Sequence, residues 1–219
     1  MNAREVVIRR SRYTYPAVGL KKATGKPVHR SFISTVEMDR FHYRDLKSTS
    51  SHRRVGAYLS VIYWGHYSGK AGVVRAARAL SKVTMAKAHN TYGTSGEILK
   101  AARLLLKRGH LSNAITLLTA LPQVGFAFAS KLCAFMEPEK CGVIDSVIVN
   151  AFPAFGFELD SAGYLRNTLK NANRYARYCR FLQREAIMLN RLGVRYCWRD
   201  RVGRTWRWRA VDVERGMYG

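Results

Sequence analysis

Residues 111–152 read LSNAITLLTALPQVGFAFASKLCAFMEPEKCGVIDSVIVNAF, and this stretch decides the fold. Apolar residues recur three and four positions apart over Leu111–Ala120 and again over Phe126–Met136, which predicts two amphipathic helices. Between them the segment 121–125 contains Pro122 and Gly125, two residues that are typical of a tight turn. The stretch therefore predicts two helices joined as a hairpin.

A third helix is predicted over Ser146–Phe152, after a short extended link at Cys141–Ile144. Asp145 stands directly before this helix, where aspartate is a favoured N-cap because its side chain accepts hydrogen bonds from the first free N–H groups. Structural capping is thus the plain interpretation of Asp145.

The rest of the chain is predicted to be mainly helical, in two lobes. Residues 1–52 are a basic N-terminal arm or part of the first lobe, with a β-prone run at Glu5–Ile8. Residues 53–192 form the helical core, which holds helical patterns at 54–68, 71–83, 97–108 and 164–193. Residues 193–219 pack on that core, and their alternating aromatic and basic side chains about Asp200–Gly203 predict a small β-hairpin.

The charge of the chain indicates its partner. There are 38 Lys and Arg residues against 14 Asp and Glu residues, a formal net charge of +24. Such an excess favours an anionic polymer, and double-stranded DNA is the leading candidate. No apolar run reaches the roughly 18 to 20 residues that a membrane span needs, so no membrane partner is expected. No obligate protein partner is evident.

Neither a metal nor another cofactor is expected. Seven, 37 and 17 residues separate the four cysteines, and these spacings match no common zinc or iron–sulfur arrangement. The basic N-terminus lacks the apolar centre of a secretory signal, which predicts a cytoplasmic protein, associated with the nucleoid if the source is bacterial.

The hairpin and the aspartate together resemble the helix-hairpin-helix (HhH-GPD) DNA glycosylases. That family has a P-G-V-G type hairpin, a helix, a linker of about ten residues and a V-D pair that opens the next helix. Here the matching residues are LPQVG at 121–125, ASKLCAF at 129–135 and VID at 143–145. The resemblance covers about a quarter of the chain and implies a fold in which the hairpin binds the DNA backbone.

Two positions depart from the family pattern. Gln123 replaces the first hairpin glycine, so a left-handed backbone conformation is less easily adopted there. Ala127 occupies the position of the lysine nucleophile found in members with lyase activity. The resemblance therefore implies a lysine-less, monofunctional type, although Lys131, one helical turn further, could supply a displaced amine.

The resemblance also assigns candidate site residues. Asp145 matches the catalytic aspartate, whose charge stabilises the oxocarbenium character of C1′ and directs water as the base leaves. Contacts to the DNA backbone are expected from Gln123, Val124, Gly125, Ala127 and Lys131.

A base inside a duplex cannot reach such an aspartate, so the nucleotide must be flipped into a pocket. Aromatic residues are dense at positions 63–67, which suggests Tyr63, Trp64, His66 and Tyr67 as pocket residues. Phe126, which flanks the hairpin, is a further candidate. Tyrosine and tryptophan at these positions are equally suited to a core.

The sequence thus predicts a monofunctional DNA N-glycosylase that excises a damaged or modified base and leaves an abasic site. The base itself is not predicted, and a modified base of phage DNA, which would imply a defence role, stays open. Two alternatives also remain: a non-catalytic helix-hairpin-helix DNA-binding module, and a glycosylase with AP lyase activity that uses Lys131.

Overall fold

The computed structural model describes residues 2–22, 27–67, 74–78, 81 and 91–218. The described helices are α1 (Ala3–Ser11), α2 (Thr35–Leu46), α3 (Ser51–His66), α4 (Thr91–Lys107), α5 (Leu111–Leu118), α6 (Phe126–Met136), α7 (Ser146–Ala151), α8 (Leu169–Arg191) and α9 (Ala210–Tyr218). Residues 74–78 are also helical, while most of the remaining helix predicted at 71–83 lies outside the described residues. The strands are β1 (Val18–Lys22), β2 (Pro27–Ser31), β3 (Trp198–Arg199) and β4 (Thr205–Trp206).

The mainly α fold is confirmed, since the strands form two small antiparallel hairpins, β1–β2 and β3–β4. The second is the predicted C-terminal hairpin, in which Trp198 pairs with Trp206. Among the described helices, none is long and apolar enough to cross a membrane.

The N-terminal segment is helical where an extended run was predicted. The side chain of Asn2 caps α1 by accepting from the Arg4 N–H at 3.1 Å. Glu5 and Arg9, four residues apart on the exposed face, form an ion pair. Val6 is buried on the opposite face, where α1 packs against α9. Capping and tertiary burial therefore override the β-propensity of the valines.

Helices α5 and α6 of the deciding stretch lie in the core, and α7 packs on it through Ile148 and Val149. Helix α5 packs between α4 and α8, and α6 contacts α2, α3 and α5. The bounds of α6 are those predicted from its periodicity. Ile115, Leu118, Leu132 and Cys133 are fully buried between these elements. This packing fixes the hairpin against the rest of the molecule.

Helix α9, which the sequence pattern did not predict, is held by a buried ionic network. Arg215 donates to both carboxylate oxygens of Asp39, at 2.7 and 2.8 Å. Asp212 accepts from Arg10 at 2.8 Å and from Arg209 at 2.6 Å. Every partner except Arg209 is at most 3% exposed, so burial is offset by pairing. The network joins α9 to α1 and α2.

Candidate active site

The turn between α5 and α6 is anchored at one side and open at the other. Leu121 and Val124 are buried, and the hydroxyl of Tyr58 on α3 donates to the carbonyl of Pro122. Gln123 and Gly125 are exposed at the tip. Gly125 is the N-cap of α6 and no side chain caps this helix, so the first-turn N–H groups face outward without a side-chain acceptor. The tip thus offers backbone donors to an anion.

Gln123 adopts the left-handed backbone conformation, with φ of 60°. The sequence predicted that this conformation would be less easily adopted by glutamine than by glycine, and the chain adopts it nevertheless. The hairpin keeps its shape with a non-glycine residue in a region that costs about 1 to 2 kcal/mol. The anchored neighbours on both sides hold this strained conformation in place.

The two carboxylate oxygens of Asp145 have different surroundings. Oδ1 accepts from the N–H groups of Val147, at 3.1 Å, and Ile148, at 3.2 Å, and so caps α7. Oδ2 lies 3.9 Å from Nζ of Lys131. The carboxylate therefore combines a structural cap with an oxygen that faces a cation, and the capping interpretation is compatible with a chemical role.

The link before Asp145 is held by hydroxyl groups. Ser130 on α6 accepts from the Ile144 N–H at 3.0 Å, and its own hydroxyl lies 2.7 Å from the Ala127 carbonyl. Tyr175 and Tyr178 of α8 donate to the carbonyls of Gly142 and Val143, at 3.0 and 3.2 Å. These bonds fix the position of Asp145 relative to α6 and α8.

Lys131 is buried, with 9% of its side chain exposed, although the sequence suggested a phosphate contact at the surface. Its Nζ lies 5.4 Å from the ring centre of Phe128 and 5.9 Å from that of Trp64. Burial lowers the pKa of Lys131, and Asp145 and then Glu214 act in the opposite direction. The amine is therefore easier to deprotonate than that of a solvated lysine.

A cavity of about 140 Å³ opens beside Lys131 and Asp145. A volume of about 150 Å³ accepts a benzene ring in an engineered protein cavity, so this cavity has room for at least one ring of a planar base. The aromatic groups in its wall are Tyr13, Tyr15, Trp64 and Tyr218, and the charged or titratable groups are Lys131, Asp145, Glu214 and Arg215.

The aromatic wall is continuous. The rings of Tyr15 and Trp64 meet edge to face at 5.0 Å, those of Tyr13 and Tyr15 stack at 6.5 Å, and Tyr13 meets Tyr218 at 5.9 Å. The two ends of the chain therefore complete a wall that begins on α3. Flat apolar faces next to a carboxylate and an amine suit a planar heterocycle attached to an electrophilic carbon.

Trp64 is the one predicted pocket aromatic found in the lining of this cavity. Tyr63 and Tyr67 pack instead with His29 of β2, the Tyr63 hydroxyl lying 2.9 Å from His29 Nδ1. The ring of His66 lies against Phe128, 4.6 Å away. Tyr63, Tyr67 and His66 therefore do not line the cavity.

Phe126 lies in the core rather than in the cavity. It is 2% exposed, and its ring meets those of Phe157 and Tyr175. Side chains on a helix project on faces about 100° apart per residue, so Phe126 and Lys131 point in different directions. Of the predicted DNA contacts, Val124 is buried and Ala127 half-buried, which leaves their backbone groups rather than their side chains near the tip.

Sequence reasoning missed Tyr13, Tyr15, Glu214 and Tyr218, which reach the cavity from the two ends of the chain. The i, i+4 spacing of Glu214 and Tyr218 is a helical signal that could have indicated a shared face.

The model of the family described as "Putative 8-oxoguanine DNA glycosylase OGG-like protein" matches residues 9–218, which include the hairpin, Asp145 and every residue named in the cavity wall. No curated protein and no solved structure matches the chain at the significance that the comparison requires. The chain therefore belongs to this OGG-like family of DNA glycosylases.

Proposed function

We propose that this DNA glycosylase excises an oxidised purine of the 8-oxoguanine type, with Asp145 as the catalytic carboxylate. The observation that carries the proposal is the cavity in which Asp145 Oδ2 and Lys131 Nζ lie 3.9 Å apart beside an aromatic wall. The substrate class comes from the description of the family.

The base enters the cavity by flipping out of the duplex, and Tyr15, Trp64 and Tyr218 hold its faces. The C1′ atom of the attached sugar then lies toward Asp145. As the glycosidic bond breaks, C1′ gains positive charge, and the carboxylate stabilises that charge in a site from which most water is excluded. The cap on Oδ1 keeps the carboxylate in place while Oδ2 faces the sugar.

The hairpin supports this arrangement by binding the DNA backbone. The uncapped N-terminus of α6 and the exposed tip at Gln123 and Gly125 offer N–H groups to a phosphate, as in helix-hairpin-helix glycosylases. The net charge of +24 supplies the remaining, sequence-independent attraction.

A second candidate, a glycosylase with lyase activity, is favoured by the position of Lys131. Ala127 removes the family's usual lysine, and from the sequence we expected water to be the nucleophile. Lys131, however, is buried beside Asp145, and burial lowers its pKa. A neutral amine there can attack C1′ as the base leaves, and ring opening then gives a Schiff base.

Single-turnover release of the base from duplex DNA that contains 8-oxoguanine tests the role of Asp145. We expect Asp145→Asn to lower the rate at least a hundredfold, because the amide keeps a cap acceptor but loses the charge, a loss of several kcal/mol. Asp160→Asn is the matched control, because Asp160 also accepts from backbone N–H groups, at 2.9 Å, in an exposed loop.

The outcome separates catalyst from cap. If Asp145→Asn releases base at the wild-type rate, the carboxylate is structural. Mass spectrometry of bases released from cellular and phage DNA then defines the substrate. If the wild-type protein releases no base from any of them, the chain is a DNA-binding module.

Borohydride trapping on the same DNA separates the two nucleophiles. An adduct that forms with the wild type and with Lys100→Ala but not with Lys131→Ala identifies Lys131, since Lys100 is an exposed lysine with 59% of its side chain accessible. Base release without any adduct identifies water and the monofunctional type.

A further inference from the structure

We propose that Glu214 is a further catalytic residue, a general acid that donates its proton to the base as the glycosidic bond breaks. This inference rests on the proposed function above. It concerns protonation of the leaving base, a role that the proposal above gives to neither Asp145 nor Lys131.

Glu214 reaches the cavity from α9. Its residue is 3% exposed and lies in the cavity wall with Lys131 and Asp145. Its side chain packs against the backbone of Gly142, where an added Cβ would lie 2.9 Å from Glu214 Cβ. The absence of a side chain at Gly142 thus lets the carboxyl reach the cavity wall.

Glu214 is buried without an ion pair to any cation of the described residues, whereas the buried carboxylates Asp39 and Asp212 are each bound by arginine. A buried carboxyl without such a partner retains its proton. Burial raises the pKa of Glu214 to about 8, and the nearby Asp145 adds to the rise. Arg215, Lys131 and the Val143 N–H oppose it.

Several titratable groups face Glu214 from the elements packed against it. Arg215 and Tyr218 lie on α9 itself, Lys131 on α6, Asp145 at the start of α7, Tyr178 on α8 and Tyr13 after α1. At pH 7 Glu214 therefore carries its proton and can act as the acid. Asp145, whose Oδ2 faces Lys131, stabilises the charge on C1′, so two carboxyl groups of one site divide the two roles.

The proton balance closes with this assignment. The electron pair of the bond from C1′ to the base nitrogen leaves with the base, and the Glu214 proton neutralises that base. The nucleophile, water or the Lys131 amine, forms the new bond to C1′ and loses one proton to solvent. Glu214 ends as a carboxylate, and it regains a proton from solvent when the base departs. A general acid of this kind typically contributes about 10²- to 10⁴-fold.

The test is the pH profile of single-turnover release from duplex DNA that contains 8-oxoguanine, for wild type and Glu214→Gln. We expect wild-type release to fall as the pH rises through about 8, where Glu214 ionises. Glu214→Gln should be about a hundredfold slower at pH 7, should lack this alkaline limb, and should approach wild type at low pH, where solvent protonates the base. Glu5→Gln, exposed on α1, should behave as wild type.

Thermal melting and DNA affinity show whether Glu214→Gln folds and binds; if it does not fold, the alkaline limb of the wild type is itself the test. A flat wild-type profile above pH 8, or a variant with the wild-type rate and profile, overturns the role of Glu214 while base release continues. Complete absence of base release by the wild type would instead refute the proposed function, and the role of Glu214 with it.

Discussion

The close approach of Gly65 to α6 allows a prediction about both the fold and the site. A Cβ at this position would lie 2.3 Å from Phe128 Cε1 and 3.2 Å from Lys131 Cδ. Gly65→Ala must therefore displace the Phe128 ring and the side chain of Lys131. Overpacking of this kind costs about 1 to 3 kcal/mol of the free energy of unfolding. The better helix propensity of alanine returns up to about 1 kcal/mol.

Gly56→Ala is the matched control because it lies on the same helix with nothing within 4 Å of an added Cβ. It shares the gain in propensity, so the difference between the two variants isolates the overpacking. We expect Gly65→Ala to melt roughly 2 to 12 °C below Gly56→Ala by calorimetry, at about 2 to 4 °C per kcal/mol for a chain of this size.

Base release should respond as well, because the same displacement moves Lys131 relative to Asp145. A misplacement of about 1 Å in a catalytic constellation can lower a rate by about a hundredfold. Gly56→Ala should keep the wild-type rate. The reasoning fails if Gly65→Ala melts together with Gly56→Ala and releases base as fast as wild type.

Three other predictions concern the buried charges and DNA binding. Asp39→Asn should lower the free energy of unfolding by about 3 kcal/mol or more, because Arg215 loses its buried partner. Asp45→Asn on the same helix should cost less than about 1 kcal/mol, because its arginine partners are 62% and 59% exposed. Equal losses in urea titrations would contradict this. Burial lowers the pKa of His42 from 6.5 to about 4, so the stability that its neutral ring contributes is present above pH 6.5 and is lost as the pH falls toward 4. A midpoint near 6.5 for the His42 ring in an NMR titration would be inconsistent with its burial against Ser60. Affinity for duplex DNA should fall at least tenfold between about 50 and 200 mM salt, and a flat response in fluorescence anisotropy would argue against phosphate neutralisation.

The hairpin and its three helices could be predicted from sequence because their signals are local. Periodicity gave the bounds of α6, and the position of Asp145 before α7 was evident from its residue type. The left-handed conformation of Gln123 could not be predicted in the same way. It depends on Tyr58, which holds the turn from 64 residues away in the chain.

Helix α9 was missed for a different physical reason. Its charged residues Asp212, Glu214 and Arg215 have the composition of a solvated surface, yet all three are at most 3% exposed. Asp212 and Arg215 are buried because Asp39 and Arg10, far away in sequence, complete the ionic network, and Glu214 is buried against Gly142. The aromatic wall could not be predicted for a similar reason, because Tyr13 and Tyr218 are far apart in sequence and no local pattern joins them.

That wall has a consequence for the order in which the protein becomes active during synthesis. The hairpin at 121–125 leaves the ribosome well before residue 218, whose ring must meet Tyr13 to complete the cavity. A nascent chain can therefore carry the completed turn while the aromatic wall of the cavity is still missing. A frameshift or a proteolytic cut that removed α9 would take away the buried partners of Arg10 and Asp39 together with the Glu214 and Tyr218 side chains of the cavity, so the fold and the site would be lost in one step.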